Sequence, residues 1–162
     1  MNKATILFAA MTLVALGATD ARASDNKTMS ALTCVRRSGG IGVVDSQGRL
    51  QNDGTTQMIV TCPLVRDYTQ ETLGFVTVSV LDATDPADVW CRTASVSQTT
   101  NGVISWGAKD YSTGVDLNDY QRLGLPIPAS YDLGAFILEC GVPAANATNG
   151  SSMIVSWYYG EG

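Results

Sequence analysis

The sequence predicts an all-β protein, a single disulfide-bonded antiparallel β-sandwich of the jelly-roll-like or immunoglobulin-like type. Three observations predict this class. Apolar residues alternate with hydroxyl residues at every second position, most clearly in residues 75–80. Turns rich in Gly, Asn, Asp and Pro separate the short runs, and after residue 23 no segment keeps a 3.6-residue period long enough for a substantial helix. The chain also has four cysteines and no histidine.

The first 23 residues predict a secretory signal peptide. Residues 6–16 form an apolar run that is too short to span a bilayer, and a small-residue cleavage site ends at Ala23. We expect residues 24–33 to be a flexible polar arm and residues 34–162 to be the sandwich domain. The mature protein would then be extracellular or periplasmic, without a membrane span.

About eight short strands are expected, and the first clear one is residues 58–65. It follows the turn Asn52-Asp53-Gly54 and places Met58, Val60 and Cys62 on one side. The next is residues 75–80, where valines alternate with hydroxyl residues. Residues 89–96 follow an Asp- and Pro-containing loop.

The remaining strands are expected at residues 103–106, 121–125, 135–140 and 153–159. The first of them follows an Asn-Gly turn, the second precedes a loop with two prolines, and the last follows a loop of Asn, Thr and Gly. Parity places two of the tryptophans in the core: Trp106 together with Ile104, and Trp157.

The cysteines indicate an oxidising compartment and two disulfides. Strand parity turns Cys62, Cys91 and Cys140 toward the core. Four cysteines allow three pairings, and the spacing does not decide between them. We favour Cys34–Cys62 and Cys91–Cys140, because the first joins the entry segment to a strand and the second joins two strands whose apolar sides match.

The absence of histidine excludes a Ser-His-Asp or Cys-His site within this chain. The net charge is −5, and signal cleavage would remove two cations and one anion, which makes it −6. An acidic protein with scattered basic residues does not fit nucleic acid. No cofactor is expected, with calcium as the one alternative. Asp82, Asp85 and Asp88 are its candidate ligands, because clustered carboxylates on a loop suit this ion.

Aromatic residues are the candidates for ligand binding. Trp90 and Arg92 have the parity opposite Cys91 and should lie on an outer face, where a Trp beside an Arg can stack on a sugar ring. We favour the alternative that a neighbouring strand or loop covers Trp90, because Trp is highly buried on average. Tyr111 and Tyr120 lie in a loop-rich stretch and are further candidates.

A resemblance rests on residues 48–52, 60–67, 78–82, 89–91 and 136–143, with Cys-Pro-Leu-Val-Arg-Asp as the most specific run. In these stretches, and in the order of its cysteines, the chain resembles a group of small secreted bacterial proteins without assigned function. The resemblance implies a disulfide-bonded β-sandwich and supplies no activity.

The sequence favours a secreted, non-catalytic β-sandwich that acts in surface interaction or carbohydrate recognition, with a glycan or a cell-surface protein as partner. A carboxylate-dependent polysaccharide hydrolase is one alternative, because such chemistry needs only Asp or Glu. A structural subunit of an extracellular assembly is the other.

Overall fold

The computed structural model describes residues 25–67, 72–85, 87–98, 102–131 and 133–161. The predicted signal peptide therefore lies outside the described residues. Within them, the strands form two sheets of six strands each, and all neighbouring strands are antiparallel. The all-β prediction is confirmed. No helix of this described part is long and apolar enough to cross a membrane.

Sheet 1 has the strand order β10-β6-β12-β4-β3, and β1 also pairs with β12. Its strands are β1 (Asn26–Ser30), β3 (Gly42–Val44), β4 (Leu50–Asn52), β6 (Leu73–Asp82), β10 (Asp116–Leu125) and β12 (Met153–Glu161). The long strands β6 and β12 run side by side through its centre, so their outward side chains form a continuous surface.

Sheet 2 has the strand order β2-β5-β11-β7-β8, and β9 also pairs with β7. Its strands are β2 (Val35–Ser38), β5 (Met58–Leu64), β7 (Trp90–Val96), β8 (Ile104–Trp106), β9 (Asp110–Tyr111) and β11 (Ala135–Val142). A single 3₁₀ turn, Ala31–Thr33, links β1 of sheet 1 to β2 of sheet 2.

Both sheets contribute to one hydrophobic core. Alternate residues of each long strand are buried, as expected from the period of two. Sheet 2 supplies Met58, Val60, Cys62, Leu64, Phe136 and Leu138, and sheet 1 supplies Val76, Val78, Val80, Leu123, Trp157 and Tyr159. The core position predicted for Trp157 is confirmed, because its side chain is fully buried.

Two disulfides join neighbouring segments of sheet 2. Cys34, which follows the 3₁₀ turn, is bonded to Cys62 of β5, and Cys91 of β7 is bonded to Cys140 of β11. Cys91 and Cys140 are directly opposite in the strand register. These are the two pairs that the sequence favoured. The strand cysteines are fully buried, as their parity predicts.

The segment expected to be a flexible arm is an ordered strand. All five residues of β1 pair with β12, from Asn26 opposite Gly160 to Ser30 opposite Ser156. The ammonium group of Lys27 donates a hydrogen bond of 2.7 Å to the Glu161 carboxylate, and Lys27 also forms an ion pair with Asp67. A polar segment is held here by backbone pairing and charge, which composition alone does not reveal.

Candidate functional site

The outer face of sheet 1 carries a pocket of about 380 Å³. Its lining residues are Thr77 and Ser79 of β6, Arg122 of β10 and Tyr158 of β12. The strand register brings them together, because Tyr158 lies opposite Thr77 and Arg122 lies opposite Ser79. We refer to these four residues as the Tyr158 pocket. It spans three adjacent strands of the sheet.

Tyr158 supplies an exposed aromatic ring at one side of the pocket. Its side chain is 38% exposed, and its ring packs against that of Phe75 with 5.0 Å between the centroids. The neighbours on either side along β12, Trp157 and Tyr159, point into the core and are fully buried. Because side chains alternate between the two faces of a strand, burial of Trp157 and Tyr159 in the core directs Tyr158 to the outer face.

The Tyr159 side chain fixes the end of this strand. Its hydroxyl accepts a hydrogen bond of 3.0 Å from the Val65 N–H and donates one of 3.1 Å to the Val65 carbonyl. Burial raises the pKa of Tyr159 above its ordinary value, so the hydroxyl keeps its proton and its role as donor. The inward anchor thus holds the backbone from which the ring of Tyr158 projects.

The polar groups of the Tyr158 pocket have no protein partner among the described residues. Neither the hydroxyls of Thr77 and Ser79 nor the guanidinium of Arg122 takes part in a side-chain hydrogen bond, an ion pair or a cation–π contact there. Gly124 of the edge strand β10 pairs with Thr77 of β6, and a Cβ atom at Gly124 would meet no other atom within 4 Å. The pocket therefore presents free hydrogen-bonding groups beside an aromatic ring.

The outer face of sheet 2 differs, because its charged groups are paired with one another. Nε and Nη2 of Arg92 donate hydrogen bonds of 2.9 and 2.6 Å to one oxygen of Glu139. Arg37 lies 3.6 Å from the other oxygen of the same carboxylate. The guanidinium of Arg92 also lies 3.7 Å from the ring centroid of Trp106. Arg92 is on the outer face, as its parity predicts, and it is already engaged.

Trp90 lies on this outer face and is covered. Its side chain is only 8% exposed. A Cβ atom at Gly141 would overlap its indole ring, so the indole lies directly over the backbone of β11. The Lys109 ammonium stands 3.5 Å from the ring centroid. This is the covered arrangement that the sequence favoured for Trp90.

The core position predicted for Trp106 is wrong. Trp106 is 36% exposed, and its neighbour Ile104 on the same side of β8 is also exposed. The reason is the register, because Trp106 pairs with Ala94, which is on the same side of β7 as Arg92 and opposite to Cys91. The three-residue strand β8 pairs only with β7 in the strand order, so no further strand covers this ring.

Three of the four binding candidates predicted from the sequence are neighbours, with the Arg92 guanidinium 5.8 Å from the Trp90 ring centroid, and the fourth lies on the other sheet. Trp90, Arg92 and Tyr111 belong to sheet 2, where Tyr111 of β9 pairs with Trp90 and is 49% exposed. Tyr120 belongs to β10 of sheet 1, and its hydroxyl accepts a hydrogen bond of 3.2 Å from Arg49. None of the four lines the Tyr158 pocket.

The carboxylate proposed for calcium, Asp82, has an internal structural role. It is fully buried and accepts hydrogen bonds of 3.0 Å from Thr84 N–H and 2.9 Å from the Ser152 hydroxyl, and it also accepts one from the Ser112 hydroxyl. Asp85 is exposed and Asp88 is half-buried. Across the described ranges, no group of three or more His, Cys, Asp and Glu residues is placed to hold a metal ion.

Sequence reasoning missed the four lining residues of the pocket. The alternation of residues 75–80 already places Thr77 and Ser79 on the polar side of their strand. The same alternation places Tyr158 outward once Trp157 is assigned to the core. Alternation in residues 121–125 likewise places Arg122 on the side opposite Leu123 and Leu125. Its lack of a partner, however, is visible only in three dimensions.

Comparisons with known proteins concern the fold. No family model matches the chain, and no curated protein matches it. Among solved structures, the chain is similar to the CBM22-1 xylan-binding domain of a Paenibacillus barcinonensis protein. The TM-score is 0.54 and the identity is 16%, over 86% of this chain and 97% of that one.

Two further structures are similar at lower scores. One is the xylan binding module CBM86 from Roseburia intestinalis, with a TM-score of 0.49 and 14% identity over 85% of this chain and 96% of that one. The other is a family two carbohydrate esterase from Cellvibrio japonicus, with a TM-score of 0.47 and 10% identity over 86% of this chain. The chain spans 35% of the esterase chain.

Proposed function

We propose that this chain is a non-catalytic carbohydrate-binding module whose glycan ligand lies in the Tyr158 pocket. The observation that supports this most directly is the exposed ring of Tyr158 beside hydroxyl and guanidinium groups that lack protein partners in the described residues. The similarity in fold to a xylan-binding domain is in keeping with the proposal. The two sheets with their shared core support the expected β-sandwich of jelly-roll-like or immunoglobulin-like type.

The chemistry of the pocket matches that of a sugar. A pyranose ring has an apolar C–H face that packs on an aromatic ring, and its rim of hydroxyls exchanges hydrogen bonds with polar side chains. Tyr158 supplies the first kind of contact, and Thr77, Ser79 and Arg122 supply the second. All four project from paired strands of one sheet, so the backbone that carries them is already ordered before the ligand binds.

The disulfides agree with export from the cytoplasm. Both bonds bury their sulfur atoms in or beside the core, and such bonds persist in oxidising compartments. We propose that the protein acts in the extracellular space or the periplasm, where polysaccharides are accessible. The hydrolase and the structural subunit stay predictions from the sequence, and no contact among the described residues favours either one.

Replacing the ring tests the proposed site. We expect Tyr158→Ala to weaken binding to a soluble polysaccharide by roughly tenfold or more, because stacking and burial of the ring are both lost. Affinity electrophoresis against a panel of plant and bacterial polysaccharides identifies a ligand, and isothermal titration calorimetry then measures its affinity.

Tyr111→Ala is the matched control, because Tyr111 is an exposed tyrosine of sheet 2. We expect it to bind as the wild-type protein does. If Tyr111→Ala weakens binding and Tyr158→Ala does not, the ligand lies on sheet 2 and the proposed site is wrong. If the wild-type protein binds no polysaccharide of the panel, the proposed function itself is wrong.

A further inference from the structure

Arg122 differs from the other cationic side chains of the described residues. Each of the others has a protein partner. The partners are Glu161 for Lys27, the Gly40 carbonyl for Arg36, Glu139 for Arg37 and Arg92, Asp45 for Arg49, the Gly134 carbonyl for Arg66 and the Trp90 ring for Lys109. Arg122 has none within the described part of the chain, although the sequence contains 15 acidic and 10 basic residues. An excess of carboxylates makes an unpaired arginine informative.

The position of Arg122 adds to this. It lines the Tyr158 pocket, and its strand neighbour Ser79 contributes a free hydroxyl to the same space. A guanidinium binds a carboxylate or sulfate through two parallel N–H···O bonds, which are stronger than bonds between neutral groups. The hydroxyls of Thr77 and Ser79 can donate further hydrogen bonds to an oxyanion or to a sugar hydroxyl.

The spacing suits a ring that carries a charged group. Tyr158 and Arg122 are two strands apart and offset by two residues along the strands. With strands about 4.8 Å apart and a rise of about 3.3 Å per residue, their Cα atoms are separated by ~12 Å. Both residues line the same pocket, so a sugar ring that packs on Tyr158 can direct a charged substituent toward Arg122.

We propose that the Tyr158 pocket selects an acidic glycan, with the sugar ring on Tyr158 and its carboxylate or sulfate group on Arg122. This inference rests on the proposed carbohydrate-binding function and adds the charge of the ligand to it. A uronic acid and a sulfated sugar offer the same oxyanion chemistry to a guanidinium. The experiment therefore treats the two as separate arms.

The test uses pairs of polysaccharides that differ only in their acidic group. One arm compares a glucuronic-acid-substituted xylan with its carboxyl-reduced form, and the other compares a sulfated galactan with its desulfated form. We expect the wild-type protein to bind at least one acidic member roughly tenfold more tightly than its neutral counterpart. The arm that shows the preference identifies the oxyanion.

Substitution of Arg122 links the preference to this side chain. We expect Arg122→Gln to bind the acidic and the neutral member of a pair with equal affinity. Arg122→Lys should keep part of the preference, because it retains the charge and loses the bidentate geometry. Arg37→Gln is the control, because it makes the same charge change at an exposed side chain of sheet 2.

The outcomes separate the two proposals. Equal affinity of the wild-type protein for acidic and neutral members overturns the acidic-glycan inference and leaves carbohydrate binding intact. A preference that survives in Arg122→Gln also overturns it, because another group then recognises the charge. Absence of binding to all four polysaccharides counts against the proposed function together with the inference. Thermal unfolding of each variant shows that it is folded.

Discussion

Gly141 has no side chain at the point where the indole of Trp90 crosses β11, and a Cβ there would overlap the ring. We expect Gly141→Ala to lower the free energy of unfolding by about 1–3 kcal/mol, because an overfilled contact forces a packed ring to move. Gly124→Ala is the matched control on a strand of sheet 1, where a Cβ meets nothing within 4 Å. Urea denaturation measures both. Equal midpoints for the two variants would show that the indole shifts at no cost.

Trp90 shows what strand parity predicts and what it does not predict. Parity placed Trp90 and Arg92 outward and Cys91 inward, and all three are found there. Parity gives only the face on which a side chain lies. The cover over Trp90 comes from Lys109 and the exposure of Trp106 comes from its pairing with Ala94, and both depend on which segments become neighbours.

At the scale of elements, a strong alternation of apolar and polar residues predicts the long strands. Strands without that alternation are not predicted. Residues 58–65 and 135–140 were expected as strands and are found as Met58–Leu64 and Ala135–Val142. The strand β1 was missed because Asn26–Ser30 contains mostly polar residues, and its partner β12 lies at the other end of the sequence. Local sequence cannot show a pairing of this separation.

The contact between β1 and β12 gives a prediction at this scale. Burial acts to lower the pKa of Lys27, but hydrogen bonds to Glu161 and Asp67 outweigh it and raise the pKa above its usual value. Because the pKa of Lys27 is higher in the folded state, its ion pair contributes its full stability below the unfolded pKa of about 10.4. This stability is lost only as the pH rises through the folded pKa. At pH 7 we therefore expect Lys27→Ala to destabilise the fold by about 1–3 kcal/mol, because the buried Glu161 carboxylate loses its cation and keeps only the hydrogen bonds from the Asp67 N–H.

A second variant separates charge from lost packing. In the double variant Lys27→Ala with Glu161→Gln, no unpaired buried charge remains, and we expect part of the stability to return. Urea unfolding at pH 7 compares wild type, the single variant and the double variant. A double variant that is less stable than Lys27→Ala would mean that the pair does not hold β1 against β12.

At the scale of the whole molecule, the two outer faces differ in how their polar side chains are paired. On sheet 2, the Glu139 carboxylate forms ion pairs with both Arg92 and Arg37, and Lys109 covers Trp90. These groups are satisfied within the protein, and they join strands β2, β7 and β11. On sheet 1 the hydroxyls of Thr77 and Ser79 and the guanidinium of Arg122 have no partner in the described residues, so a ligand can bind them without breaking a side-chain contact. This contrast depends on long-range pairing, so the sequence cannot show it, and three of the four binding candidates predicted from the sequence lie on sheet 2.

The composition of the whole chain predicts how binding should respond to pH. The sequence has no histidine, and its four cysteines are in disulfides. An arginine side chain is not deprotonated in proteins. No side-chain group of ordinary pKa therefore titrates between about pH 5.5 and 8. We expect the affinity for a uronic-acid polysaccharide to be constant over this range and to fall below about pH 4, where the ligand carboxyl gains a proton. Calorimetry across the pH series measures this.

The fold must be followed in the same series, because some of its stability depends on carboxylates. The hydrogen bond from Lys27 lowers the pKa of Asp67, so the stability that Asp67 contributes is complete above its unfolded value of about 3.9 and is lost as the pH falls through the lower folded value. Circular dichroism at each pH identifies any unfolding, and a sulfated ligand, which stays charged in acid, should keep its affinity wherever the protein is folded. A change of affinity between pH 6 and 7.5, with the fold intact, would contradict recognition through an arginine and a permanently ionised ligand.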